Sequence, residues 1–218
     1  MEFVKYGLFS KSAPTKIKIF QALAELLETE DFDSITVKQI CETAKTGKTT
    51  FYAHFQDKYD IIQWFTSLFY DMGVAHIGRT LTWEQGHRIT TTGYLQYRDL
   101  LVKAFLSSDY NGLPAYCPRR REDNIIDTLV NYKHVEVTRA IRAQVVSLSA
   151  GEAAFFNQYL VEEESPDVDE CVQALMSVIP PQLYELLEEP VEAKRDSIEE
   201  ELTHIRFLVH VFALPVKK

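Results

Sequence analysis

The sequence predicts an all-α protein, with a cluster of short helices at the N-terminus and a larger helical bundle behind it. Three observations carry this. Apolar residues recur at three- and four-residue steps through most of the 218 residues. Helix-start patterns with a Thr or Ser cap and a Gln or Glu three positions on stand at Thr36–Gln39, Thr82–Gln85 and Ser149–Glu152. No apolar–polar alternation of useful length for a strand, no internal repeat and no low-complexity run breaks the pattern.

Taken in order, Thr15–Glu28 reads as a first helix, with Ile17, Phe20, Leu23, Ala24 and Leu27 on one face. Thr29–Asp33 breaks it, and Thr36 caps a second helix whose inner face is Val37, Ile40, Cys41 and Ala44. Lys45-Thr46-Gly47 is a turn of the right length to join two helices steeply. A short third helix spans Lys48–Phe55, and Asp57-Lys58 begins a longer fourth through Ile61, Phe65, Leu68 and Met72. Beyond Gly73 and Gly78, Thr80–Gly93 is Thr-rich and softened by Gly86 and Gly93, with a brief helix capped at Thr82. Tyr94–Leu106 is helical and Asn111–Pro114 is a turn. Pro118 opens a long helix to about Ser147, and the pattern at Ser149 starts another to about Glu163. Ser165-Pro166 caps the next, Pro180-Pro181 and Pro190 divide an acidic tail, and Ala193–Phe212 is a final amphipathic helix. Its inward face holds Leu202, Ile205, Leu208, Val209 and Phe212.

Composition bounds the possibilities. Apolar content of 46% with 25% charge is that of an ordinary globular protein. The greasiest stretches, around 61–70 and 207–216, fall short of the roughly 18–20 apolar residues of a membrane span. The N-terminus lacks a secretory pattern, and Cys41, Cys117 and Cys171 are odd in number and widely spaced. Together these point to free thiols in a reducing cytoplasm. The net charge of −9 is unevenly spread: residues 1–62 carry eight Lys against nine acids, so most of the excess lies C-terminal to them. Lys38, Lys45, Lys48 and Lys58 gather about the third helix, a thin but local basic face.

That third helix has an unusual outer side. At about 100° per residue Phe51 and Phe55 share one face and anchor the segment. Thr49, Thr50, Tyr52, Ala53 and Gln56 fall opposite, where small hydroxyls and a phenol suit a DNA groove better than a core. The layout is that of a helix-turn-helix DNA-binding headpiece, residues 1–60, with a larger C-terminal helical bundle, residues 61–218.

Residues Thr15 to Ile62 resemble the TetR family of bacterial transcriptional regulators. The resemblance rests on Thr50-Phe51-Tyr52-Ala53-His54-Phe55, continued by Asp57-Lys58-Tyr59-Asp60-Ile61, on the lead-in Phe32–Val37 and on Ile40 and Ala44. It implies that Thr36, Lys38, Tyr52, His54 and Lys58 meet phosphates, and that Lys48, Thr49 and Thr50 face base edges or the adjacent backbone. Lys45 stands where the family usually has Gly, Thr46 where it has an apolar residue and Gly47 where it has a Ser cap. Lys45 either adds a phosphate contact or strains a left-handed turn that Gly would tolerate. For His54 a packing role competes with a phosphate contact. The resemblance further implies a homodimer formed through C-terminal helices including Ala193–Phe212, a pseudo-palindromic double-stranded DNA operator, and a repressor released by a small-molecule effector that tilts the fourth helix.

Other motifs are weaker. Gly47-Lys48-Thr49 imitates the end of a phosphate-binding loop, but Glu42 stands where a Gly is required. His204 and His210, six apart, share no helix face, His76 and His87 lie in glycine-softened sequence, and no nucleophile or paired carboxylates have catalytic spacing, so neither a metal, a cofactor nor an enzymatic reaction is expected. Arg119-Arg120-Arg121 reads as a solvated first helical turn, with an anionic-effector site as the alternative. Tyr94, Tyr97, Phe105, Tyr132, Phe155, Phe156 and Tyr159 either line an effector cavity or pack the core and the dimer, with Phe155 and Phe156 pointing apart. A rival reading keeps the headpiece fold but makes the chain a protein-interaction or ligand-sensing module with weak DNA binding.

Overall fold

The computed structural model describes residues 11–192 and 198–212. They form eleven α-helices and no strand: α1 Ala13–Leu27, α2 Val37–Thr43, α3 Lys48–Tyr52, α4 Lys58–Met72, α5 Trp83–Gln96, α6 Arg98–Phe105, α7 Leu113–Asp127, α8 Arg139–Glu162, α9 Val168–Ser177, α10 Pro181–Leu187 and α11 Glu199–Val211. None of these helices is long and apolar enough to cross a membrane.

The first four helices follow from local signals. Thr36 accepts from the Gln39 amide while the Gln39 side chain accepts from the Thr36 amide, so the expected capping box starts α2. At its other end the Lys45 amide donates to the Glu42 carbonyl and the Thr46 amide to the Cys41 carbonyl. This paired pattern satisfies the last carbonyls of α2 and requires a left-handed residue at Lys45, whose φ is 46°. The turn is therefore the one in which Gly would be unstrained. Asp57 caps α4 by accepting from the Asp60 amide.

The bundle departs from the expected boundaries. Gly86 and Gly93 do not soften a loop; they lie inside α5, where added Cβ atoms would sit 2.4 Å from Ile77 Cγ1 and 2.3 Å from Phe69 Cδ1. They are close-packing positions, and the Thr82 capping box opens a full helix. The Asn111–Pro114 turn gives way to α7 at Leu113, so Pro118 lies within a helix rather than at its start. The long helix expected to about Ser147 instead ends at Asp127, followed by a π-helical turn, Thr128–Tyr132, and a loop. Thr138 then caps α8 through the Ile141 amide. Ser149 and Glu152 are inside α8 and buried, so no new helix begins there. Asp167, not Ser165, caps α9. The expected final helix begins six residues later, at Glu199; residues 193–197 and the Val209 side chain lie outside the described residues.

Packing does not divide at residue 60. One apolar core joins Phe20, Leu23, Ile40, Phe51 and Phe55 to Phe65, Leu101 and Phe212. Phe20 stacks on Phe65 at 4.1 Å between centroids, and Phe212 from the end of α11 closes edge-on against both at 5.2 Å. A second apolar cluster, around Trp83, Leu129, Val145 and Leu183, lies at the other side of the bundle. The helix α4 belongs to both units, since its Tyr70 joins this second cluster.

Candidate functional site

The outward face of the headpiece is built on two buried rings. Phe51 and Phe55 are fully buried, and they hold α3 against α2 with Ile40, Cys41 and Ala44. Opposite them Lys48, Thr49 and Thr50 are exposed, and Tyr52 is 58% exposed with its ring edge-on to Phe51. Thr36, Lys38 and Lys45 are exposed beside them, and His54 is half-buried at the end of α3. The structure thus brings eight of the nine expected DNA-facing residues to one region. Lys38 lies 3.8 Å from the Glu42 carboxylate, and both are well exposed, so this pairing is cheap to exchange for a phosphate.

Lys58 is the correction. Its ammonium is buried and donates to the carbonyls of Phe32 at 2.8 Å, Asp33 at 2.7 Å and Ile35 at 2.9 Å. All three N–H groups are spent on the α1–α2 connection, leaving none for phosphate. Burial lowers its pKa, partly offset by Asp33, Asp109 and Asp57. Lys58 is a clamp that fixes where α2 and α3 sit on α4.

Behind the headpiece lies a cavity of about 80 Å³ between α4, α5, α6, α7, α8 and α9. Of the aromatic residues weighed as effector contacts, Tyr94, Phe105 and Phe156 line it. The other four do not. Tyr97 packs on Phe65 and Phe69 at 4.9 and 5.5 Å, and Tyr132 lies under the Arg79 guanidinium at 4.2 Å. Phe155 packs on Tyr159, whose hydroxyl donates to the Asp167 carbonyl. Phe155 and Phe156 do point apart, with Phe156 the inward one.

The arginine triplet is not a solvated turn. Arg119 is exposed and lies over Tyr110, but Arg120 bonds Asp71 at 2.5 Å and the Tyr116 hydroxyl at 2.8 Å. Arg121 is buried, donating from Nε to Glu152 Oε2 at 2.8 Å and from Nη1 to the Val74 carbonyl at 3.2 Å. Burial alone would raise the Glu152 pKa, but Arg121 and His87 beside it outweigh that and hold it well below the usual carboxylate range. Burial also pushes the Cys117 thiol on the cavity wall up to about 12, so it is protonated and unreactive.

His87, Ser149 and Glu152 were missed as site residues. Once α8 is one continuous helix, Glu152 sits on the same stripe as Ile141, Val145, Leu148 and Phe156. His87 likewise shares a stripe with Trp83, Thr90 and Tyr94 on α5. Polar residues set into an otherwise apolar stripe are the available signal.

The family model described as bacterial regulatory proteins, tetR family, matches residues 19–63, from within α1 to the first turns of α4. Among curated proteins nothing matches the chain. The fold is similar to that of the dihydroxyacetone kinase operon activator DhaS, with a TM-score of 0.53 at 15% identity, covering 80% of this chain and 98% of that one. The TetR family repressor AlkX from Dietzia sp., implicated in biodegradation of n-alkanes, gives a TM-score of 0.48 at 19% identity, covering 78% and 98% of the two chains. The headpiece, residues 19–63, is therefore the helix-turn-helix DNA-binding domain of the tetR family of bacterial regulatory proteins.

Proposed function

We propose that this regulator is a cytoplasmic homodimeric repressor, released from a pseudo-palindromic operator by a small-molecule effector. The observation that carries the DNA half is the exposed Lys48, Thr49, Thr50 and Tyr52 face fixed on a buried Phe51–Phe55 anchor. Small hydroxyls let the helix approach the groove floor, and Lys45, Lys48 and Lys38 supply charge to phosphates.

Support for the dimer comes from α8 rather than from α11. Ile205, Leu208 and Phe212 of α11 are buried in their own chain, so that face is not free for a partner. Helix α8 instead exposes Ala143, Val146, Ser147, Ala150, Gly151 and Ala154 along one side, and a Cβ added at Gly151 meets open space. A small-residue face lets a second α8 approach closely.

The cavity is where an effector would act. Its wall includes Tyr70, near the C-terminal end of α4, and Phe105 of α6. Beside Phe105, Lys103 donates to the Leu27 carbonyl and Ser107 to Asp33 at 2.5 Å, and both acceptors belong to the headpiece. A ligand that displaces Tyr70 or Phe105 therefore shifts the supports of α1 and of the α1–α2 connection, changing headpiece spacing.

The test is selection of bound fragments from the source genome, followed by titration at two salt concentrations. A specific operator retains nanomolar-range affinity with a steep salt dependence. A protein-interaction module with residual DNA binding gives no preferred fragment. The sign of regulation is read from a reporter beside the selected fragment, which a repressor silences and an activator of the DhaS kind induces.

A further inference from the structure

The polar end of the cavity has a chemistry of its own. His87 from α5, Arg121 from α7, and Ser149 and Glu152 from α8 converge there, each more than nine-tenths buried. Arg121 Nη2 and Ser149 Oγ have no hydrogen-bond partner among the described residues, and beside them His87 Nε2 lies 3.3 Å from Glu152 Oε1. Buried polar atoms are nearly always bonded, so a cluster of this kind calls for a bonding partner.

Charge and size narrow that partner. The Arg121–Glu152 pair cancels, so a carboxylate would meet Glu152 and an ammonium would meet Arg121. A neutral group that both accepts and donates suits the two atoms at once. The rest of the wall is apolar, with Tyr94, Phe105, Phe156 and Leu175 facing the space. About 80 Å³ has room for about five to eight water-sized groups.

We infer that this cavity binds a small, uncharged, hydroxylated hydrophobe of the phenol class, whose hydroxyl accepts from Arg121 Nη2 and donates to Glu152 Oε1. Ser149 Oγ completes the bonds to that hydroxyl, and the Tyr94, Phe105 and Phe156 rings hold the apolar body. The inference rests on the reading of this cavity as the effector site and names the class of molecule it takes.

Titration calorimetry on the full, DNA-free chain with phenol, toluene and benzoate tests it. Phenol binds once per chain, toluene binds at least about fivefold more weakly because it leaves the polar end unbonded, and benzoate does not bind. Ser149→Ala weakens phenol about 2- to 13-fold and leaves toluene unchanged. Ala153→Leu, which fills the cavity from α8 without touching the ion pair, abolishes binding of both. Equal affinity for phenol and toluene, no phenol binding, or phenol binding that survives Ala153→Leu overturns the inference. In that case the polar end is a hydrated structural ion pair. Operator affinity is measured separately, with and without phenol. Phenol bound with operator affinity unchanged leaves the site standing and removes the release mechanism. An operator-binding dimer that ignores phenol removes the ligand class alone.

Discussion

Two buried cations, one in each half of the molecule, meet opposite fates. In the headpiece Lys58 places all three of its hydrogens on backbone carbonyls, and nothing is left over. In the bundle Arg121 is just as buried and firmly paired, yet its Nη2 and the neighbouring Ser149 Oγ have no hydrogen-bond partner among the described residues. The same physical device, a cation held in a core, closes one region and leaves bonding capacity in the other. The first locks a shape that must match a groove. The second leaves room for chemistry that arrives from outside.

The sharpest way to break this contrast is Arg121→Met, which strands the Glu152 carboxylate in the core and costs about 3–5 kcal/mol. Its pH profile adds a sign. In the native chain the Glu152 pKa is lowered to about 2 from 4.5, so its pairing stabilises fully above 4.5 and is lost as pH falls toward 2. Without Arg121, burial raises that pKa instead, so stability is greatest at low pH and declines as pH rises through the new value. Urea melts between pH 3 and 7 check whether the slope inverts.

Ala150→Arg places two like charges across the proposed α8 pairing and weakens the dimer at least about 100-fold, close to 2.7 kcal/mol. Sedimentation reads this, and an unchanged dimer moves the interface elsewhere. Lys58→Met leaves three carbonyls without their donor and costs about 2–3 kcal/mol, seen as a lower denaturant midpoint. If stability holds while operator affinity alone falls, Lys58 contacts phosphate after all.

Tyr52→Ala tests the groove face with little else disturbed. Operator affinity falls about tenfold, while stability stays within about 0.5 kcal/mol because the ring is exposed. The smallest change is Lys45→Gly, which relieves the left-handed strain and gains about 1 kcal/mol in stability. Loss of one unit of salt slope in the same variant would make Lys45 a phosphate contact as well.

How far the chain could be read in advance follows the same division. The headpiece is governed by neighbours in sequence. The Thr36–Gln39 box, the Lys45 turn and the Phe51–Phe55 spacing each act within a few residues, and all three are where they were expected. The bundle is governed by partners far along the chain. Ser149-Ala150-Gly151-Glu152 looks like a helix start until Arg121, thirty-one residues earlier, and His87 are placed beside Glu152. Pro118 looks like a first turn but is tolerated inside α7, and the true break falls at the π-helical turn after Asp127. Lys58 was legible as a helix start, but its carbonyl partners lie over twenty residues upstream and no local pattern announces them.

Hydroxyl-radical footprinting on a selected operator decides whether two exposed α3 faces read DNA while the bundle pairs the copies. Two protected patches are expected on one face of the duplex, related by a dyad and one helical turn, about 34–36 Å, apart or a simple multiple of it. A single patch without dyad symmetry, or protection that persists unchanged in Tyr52→Ala, would contradict that arrangement.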